Sequence, residues 1–445
     1  MKGKGKRALA LGWLFYAIGF VVPFVASGYG MPNPPGATTP PQDLGVWNVS
    51  YTGMPVQEKP WAFAVWIICW AIGFIFFYKS YVAGRPQLMD GGARLWRRVC
   101  NFISDWTSMF LLSVFLTAMC FFPSALAAGL PAQQMNWVAA SLVVMGMSIP
   151  LDEWKRILKR PLPIIQLWLL RWICMPLLAL GFGYLIYSNL VHGVDANGVP
   201  MAPQLIAAQA LIGTTATGGA GNVYTFIVGG DAPLSILCTT LSTLTDPLIQ
   251  PGMSKLLVGQ LIDVPVAAMM LDLVLHVVIP LVCGVVFSAL VLKNKAKLLA
   301  PLFSAVAVIV MLPMFMGAVS GGWNTLLHNL YIVPIIALCA VLHAGAGQSI
   351  GYFGTKKLFK FSEAQRRSGL FEVGVENISI ASGLSFTYFG PLASTACALY
   401  GLVQTVLVMI WINIFKSRDA KVGITNTIGV QTGSAPAESA ADQAK

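Results

Sequence analysis

Long apolar runs separated by short polar stretches dominate the chain. Twelve can be drawn, over residues 8–28, 60–78, 102–122, 134–151, 163–188, 204–229, 233–257, 265–292, 298–318, 328–350, 367–387 and 391–415. Each is close to the ~20 residues that carry a helix across ~30 Å of hydrocarbon. In lipid the backbone must satisfy its own hydrogen bonds, so the runs predict helices. The period-two alternation of a transmembrane barrel is absent. The last ten runs divide into two sets of five, 102–257 and 265–415, and an odd number per set inverts the second relative to the first. The fourth run of each set is interrupted in its middle, by Gly213-Thr214-Thr215-Ala216-Thr217-Gly218-Gly219-Ala220-Gly221-Asn222 and by Phe371-Glu372-Val373-Gly374-Val375-Glu376-Asn377. Matching breaks in inverted halves are a pointer to a binding site at the repeat interface of a secondary transporter. The expected organisation is an all-α polytopic membrane protein. It has a two-helix N-terminal addition with an external loop (1–98), two inverted five-helix repeats (99–258 and 259–417) and a disordered cytoplasmic tail (418–445).

Composition agrees and adds orientation. Hydrophobic residues make up 56% of the 445 and charged residues only 10%, with a mean hydropathy of +0.72. Soluble domains carry roughly 25% charged residues. With the N-terminus inside, the cytoplasmic segments 1–7, 79–98, 152–160, 229–232, 293–297, 351–367 and the tail hold 25 of the 28 Lys and Arg. That is the positive-inside bias, which predicts both termini in the cytoplasm and an inner-membrane location. The net charge of +11 therefore reads as topology and contact with anionic lipid, and argues against a nucleic-acid surface. The basic start, apolar run and Val25-Ala26-Ser27 share features with a signal peptide, but the length of the run favours an uncleaved helix. The eight cysteines lie in or beside apolar runs without C-x-x-C spacing and read as small buried hydrophobes. The Trp residues, among them Trp13, Trp61, Trp66, Trp70, Trp96 and Trp106, lie mostly near run ends, as an aromatic belt does.

A broken helix exposes carbonyls at one end and N–H groups at the other, suited to a hard cation and an anion respectively. Glu372 and Glu376 are carboxylates in such a break, and each calls for a cationic or protonic partner. Ser235 and Thr239, four apart, offer hydroxyls from one face of the following helix. Carboxylate, Asn amide, hydroxyls and carbonyls together make an ordinary hard-ion set.

These residues resemble the bile acid:sodium symporter family over roughly 102–415. The resemblance is carried by Met145-Gly146-Met147, Lys159-Arg160-Pro161, Met175-Pro176, the Gly-Gly-x-x-Asn of 218–222, Gly230-Asp231 with Leu234-Ser235, Ser242-Thr243-Leu244-Thr245, and Glu372-Val373-Gly374-x-x-Asn377. It implies sodium-coupled symport of a small organic anion, with no cofactor beyond the coupling ion. It also implies that 217–222 and 372–377 cross, with two sodium ions beside the crossing. The first ion would use Asn222, Ser235, Thr239 and Glu372; Gly221 stands where the family usually has a serine ligand. The second would use Glu372, carbonyls of Val373 and Val375, and two glutamines. Here those positions hold Arg171 and Glu376, so Glu376 remains the sodium-side residue at an altered site. Substrate contacts would fall on Gly219, Asn222 and Asn377. Arg171 could occupy the space of the second sodium, paired with Glu376 or Glu372, make a purely structural ion pair, or bind the substrate carboxylate.

Other buried polar residues admit weaker readings. Asp272 and His276 could relay protons or simply hydrogen-bond, and Asp246 could extend a cation path or bond across helices. Asp105 and His343 read as interior contacts. An intramembrane enzyme would need a nucleophile–base pair or a metal cluster. No H-E-x-x-H, G-x-S-x-G or His/Cys grouping occurs, and His192, His276, His328 and His343 are scattered. A proton-coupled or uncoupled carrier, and a sensor or binding protein that has kept the fold, are the alternatives to sodium symport.

Overall fold

The computed structural model describes residues 2–26, 60–83, 95–106, 110, 113, 133–148, 161–195, 197–293, 295–322, 325, 326 and 329–421. The expected external loop 29–59, most of the third run, the basic segment 152–160, His328, Cys120 and the tail beyond 421 lie outside these residues, as does the side chain of Asp105. Among the described residues the regular structure is helical, with two isolated β-bridges. In chain order the helices are α1 Lys2–Ala26, α2 Pro60–Ala83, α3 Leu95–Asp105, α4 Gln134–Met147, α5 Leu162–Leu190, α6 Met201–Thr214, α7 Ala220–Ile227, α8 Ala232–Val258 and α9 Val266–Leu273. Then follow α10 Ile279–Phe287, α11 Lys295–Gly321, α12 Ile332–Ser349, α13 Thr355–Phe359, α14 Glu363–Gly374, α15 Ile378–Phe389 and α16 Pro391–Lys421. Single π-turns at Val274–Val278, Ser288–Leu292 and Ile350–Gly354 continue α9, α10 and α12 without ending them.

Five stretches among the described residues are long and apolar enough to cross a membrane: Leu162–Leu190, Val266–Leu292, Pro301–Val319, Ile332–Phe359 and Pro391–Asp419. The chain is a multi-pass all-α membrane protein. α5 shows how its surface is built. Leu162, Ile165, Leu169, Ile173 and Leu177 follow one another at steps of three or four and are all exposed, while Ile164, Leu167, Arg171 and Met175 on the other side are buried. A helix with an apolar outer stripe is placed against lipid, because water would disfavour such a patch.

The two interrupted runs become two pairs of half-helices. α6 stops at Thr214 because Thr215 turns extended (φ −83°, ψ 160°), and α7 restarts after Gly219. α14 stops at Gly374, Val375 is extended (φ −121°, ψ 108°), and α15 restarts under an Asn377 cap whose side chain accepts from Ile380 N. The two extended segments lie antiparallel. Gly218 N donates to Val375 O at 3.0 Å and Asn377 N to Ala216 O at 3.0 Å, which pairs Thr217 with Glu376. Glycine is required at the contact, since a Cβ on Gly218 would sit 2.7 Å from Glu376 O. Each break thus satisfies part of the other's freed backbone, which is what allows non-helical chain at this depth.

The main apolar core runs through α4, α5, α6, α11, α12, α15 and α16, with Leu205, Leu211, Phe315, Ile336, Leu384 and Tyr400 each at most 2% exposed. A separate aromatic cluster of Tyr16, Phe77, Tyr81 and Phe102 joins α1 and α2 to α3. Cysteines 100, 238, 339 and 397 are buried as expected, but Cys69 and Cys174 are half-buried and Cys283 is exposed on the apolar outside of α10. Apolarity along the chain cannot distinguish lipid from core, so that expectation needed the packing.

Candidate functional site

Asp231 caps α8 by accepting from Leu234 N at 3.1 Å, which sets the rotation of the helix and points Ser235 and Thr239 at the end of α14. There Ser235 Oγ lies 2.5 Å from Glu372 Oε1 and 2.8 Å from Asn222 Oδ1. Thr239 Oγ1 lies 3.1 and 3.0 Å from the two Glu372 carboxylate oxygens and 3.0 Å from Asn222 Oδ1. Five close contacts are made with only two hydroxyl protons, because carboxylate and amide oxygens accept and never donate. The cluster is buried, with Ser235 and Thr239 at 0% and Glu372 at 2% exposure. A buried surplus of lone pairs around one negative charge is an environment that a small hard cation completes. The four residues expected at the first ion come together. Gly221 stands at its rim, where an added Cβ would lie 3.7 Å from Glu372 Oε1 in open contact.

Glu372 and Glu376 are four apart in sequence, yet they do not share a face, because the break at Val375 redirects the chain. Glu376 bonds to Arg171 on α5, and the rest of the guanidinium faces carbonyls. Nη1 donates to Glu372 O and Val373 O, both at 3.2 Å, and Nη2 to Thr215 O at 2.6 Å. Arg171 is 2% exposed and Glu376 likewise 2%. Two residues expected at the second ion have partners of their own here. The Val375 carbonyl accepts from Gly218 N in the antiparallel contact. One oxygen of the Glu376 carboxylate is bound to the Arg171 guanidinium, and the other, Oε1, has no hydrogen-bond partner. Of the two carboxylates open to Arg171, Glu376 takes the pair, and Glu372 contributes only its backbone oxygen.

A cavity of about 240 Å³ opens beside the crossing. Gly218, Gly219, Asn222, Glu376 and Asn377 line its polar end, and Met145, Phe303, Met311 and Phe315 line the rest. All three residues expected at the substrate, Gly219, Asn222 and Asn377, are in its wall. Arg171 is not, so it does not reach a solute there. The N-terminal turns of α7 and α15 both enter the lining; Gly221 N and Asn222 N donate to Gly218 O and Gly219 O, and Ile378 N and Ile380 N to Glu376 O and Asn377 Oδ1. Among the described residues no Lys or Arg side chain lines the cavity.

Three further polar residues hold the site and its surroundings: Gln404, which carried no motif, Thr217 of the first break, and His343. Gln404 on α16 clamps the break, accepting from Glu376 N at 2.8 Å and donating to Glu376 O at 3.2 Å. Thr217 Oγ1 donates to Glu372 O at 2.9 Å. His343, 0% exposed, lies 3.0 Å by Nε2 from Met175 O, while its Nδ1 meets Tyr400 and Gln209. This makes it an interior contact beside the Pro176 bend of α5. The only sequence signal for Gln404 and His343 is a hydrogen-bonding side chain within an apolar run. Asp272 accepts from Tyr388 Oη at 2.5 Å, and His276 Nδ1 stands 3.7 Å from the other carboxylate oxygen, a pair away from the cavity.

Comparison with known proteins agrees with this geometry. The chain is 24% identical over 300 residues to a protein of Bacillus subtilis named "Uncharacterized sodium-dependent transporter YocS", covering 64% of this chain and 87% of that protein. It is 26% identical over 285 residues to a protein of Arabidopsis thaliana named "Probable sodium/metabolite cotransporter BASS1, chloroplastic", covering 62% and 67% respectively. Residues 138–329, which hold the first break and the Ser235–Thr239 face, match the model of the Sodium Bile acid symporter family.

Proposed function

We propose that this protein is a secondary active transporter that couples sodium to the movement of a small organic anion. The observation that carries the reading is the proton-poor oxygen cluster of Asn222, Ser235, Thr239 and Glu372, which shares Asn222 with the wall of the cavity. A sodium ion there would hold the Asn222 side chain in place and thereby link ion occupancy to the solute. In the cavity, helix N-termini would receive the anionic group, and Met145, Met311 and Phe315 would pack an apolar body. The relatives' names, a sodium-dependent transporter and a sodium/metabolite cotransporter, support the same reading. The chemistry is transport and not catalysis, and sodium serves as coupling ion with no cofactor.

Arg171 completes the proposal. Carbonyls freed by helix breaks commonly hold a cation, and here a tethered guanidinium takes three of them. The crossing itself would then hold one exchangeable ion. The ten-helix core would be two inverted repeats, 99–258 and 259–417, preceded by the two-helix addition 1–98. Alternating access would come from one helix group rocking against another about the crossing. The charge bias along the chain supports a bacterial cytoplasmic membrane with both termini inside.

The test is uptake of a panel of small radiolabelled carboxylates into proteoliposomes under an inward sodium gradient. Sodium-driven accumulation that Glu372→Gln abolishes is the expected result. Accumulation driven equally by choline and sodium would refute sodium coupling, and ligand binding without accumulation would leave a binding protein in its place.

A further inference from the structure

One face of α8 carries an unbroken file of buried polar side chains: Ser235, Thr239, Ser242, Asp246, Gln250 and Ser254, each at most 1% exposed. The first two belong to the Glu372 cluster. The others run on past the crossing and lie against α6 and its extended end. Ser242 Oγ accepts from Thr217 N at 3.3 Å, Gln250 Nε2 donates to Leu211 O at 3.4 Å, and Ser254 Oγ lies 2.9 Å from Thr214 Oγ1. These contacts fix the seam on both sides of Asp246.

Asp246 itself is fully buried. Its carboxylate faces the Ala216 backbone N–H and lies in the fields of Arg171, which attracts it, and Glu376, which repels it. Neither carboxylate oxygen closes a hydrogen bond, and neither do Thr215 Oγ1 or Gln250 Oε1. Thr215 directly precedes Ala216, and Gln250 is one turn beyond Asp246, so these unpartnered oxygens belong to one seam. An ionised carboxylate shut away from water, with one N–H facing it and no hydrogen bond closed, is unfavourable unless a positive charge joins it. Arg171 gives it no hydrogen bond: Nη1 and Nη2 go to Glu376 and three carbonyls, and Nε, itself without a partner, does not bond to Asp246. Around the crossing, one fixed cation faces three carboxylates, of Glu372, Glu376 and Asp246.

We infer that Asp246, with Thr215 Oγ1 and Gln250 Oε1, binds a second sodium ion, about two turns of α8 from the Glu372 cluster. The inference rests on the proposed function in taking Glu372 as the first ion's ligand. One carboxylate among neutral oxygens suits a monovalent hard cation. Among the described residues no three His, Cys, Asp or Glu side chains gather to hold a metal of higher charge. The arginine would thus have displaced the second ion from the crossing onto the α6–α8 seam without removing it.

The test uses the full-length protein in detergent. Its unfolding midpoint is titrated with sodium chloride, with choline chloride holding ionic strength constant, for wild type, Asp246→Asn, Glu372→Gln and Thr215→Val. Expected are a Hill slope near two for wild type, near one for Asp246→Asn and for Glu372→Gln, and a half-effect shifted about tenfold upward by Thr215→Val, the weight of one oxygen contact to a charge. A folded Asp246→Asn that reproduces the wild-type sodium curve overturns the site. So does one that changes only the pH profile, because the carboxyl then holds a proton. Should Asp246→Asn not fold, an unchanged sodium curve in Thr215→Val overturns it instead. If Asp246→Asn lowers the slope while Glu372→Gln does not, the second site stands and the Glu372 reading of the proposed function fails.

Discussion

Replacing Arg171 by Gln tests the tethered-cation reading most directly. The change removes a guanidinium that bonds to the Glu376 carboxylate and to the carbonyls of Thr215, Glu372 and Val373, at a site 2% exposed. Taking one partner out of a buried ion pair destabilises by about 3–5 kcal/mol, chiefly because the other charge is left uncompensated. Unfolding entropy scales to roughly 0.9 kcal/mol per kelvin for 445 residues. The midpoint in sodium-free buffer should therefore fall by about 3–5 °C. Arg171→Gln/Glu376→Gln removes both charges and should regain about half of that loss. The sharper expectation concerns sodium. Without the guanidinium, three carbonyls and the Glu376 carboxylate form a set that a hard cation can enter, so sodium should restore the single variant. Occupancy at 100 times the dissociation constant contributes ~2.7 kcal/mol, which recovers most of the loss. Differential scanning fluorimetry in sodium and in choline chloride reads both effects. The reasoning is refuted if Arg171→Gln unfolds at the wild-type temperature, or if sodium stabilises it no more steeply than wild type.

Gly221→Ser should place a hydroxyl beside Glu372 Oε1 without steric conflict, since a Cβ there lies 3.6–3.7 Å from its neighbours, and should lower the half-saturating sodium concentration about tenfold in the same assay. Gly218→Ala sets a Cβ 2.7 Å from Glu376 O and should force the two breaks apart; loss of solute uptake and a destabilisation of about 1–3 kcal/mol are expected, read by uptake and thermal unfolding. Burial alone would raise the carboxyl of Glu363, but hydrogen bonds from Arg367, Tyr352 and Arg418 outweigh it and hold the group below its ordinary 4.5. A depressed folded value means that this stability is present above about pH 4.5 and is lost as pH falls through the lower folded value. Glu363→Gln should therefore flatten the acid limb of the stability profile. Asn377→Ala removes both the cap on α15 and a cavity wall, and should weaken solute binding more than sodium binding when each is titrated separately.

Membrane residence, helical class and the two mid-membrane breaks were legible in the chain, because hydrocarbon leaves the backbone no other solution and because apolar length and charge bias are one-dimensional quantities. The residues of the oxygen cluster could be named for a related reason. Asn222, Ser235, Thr239 and Glu372 belong to short motifs whose local geometry, a capped helix start and a glycine break, orients them before any long-range packing. Which acid meets which base was decided only in three dimensions. Glu372 and Glu376 look equivalent at four-residue spacing, and the extended Val375 separates them, sending one to hydroxyls and the other to Arg171. The roles of Gln404, Thr217 and His343 came from helices distant in sequence, and an isolated polar residue in an apolar run does not state its partner. Asp246 shows the same boundary. Its position before Pro247 was visible, but its lack of a closed hydrogen bond depends on the rotation of α8 against α6, which packing sets. Sequence determines where polarity must enter the membrane, and tertiary structure decides whether that polarity is answered by a proton donor, a fixed guanidinium or nothing but oxygen.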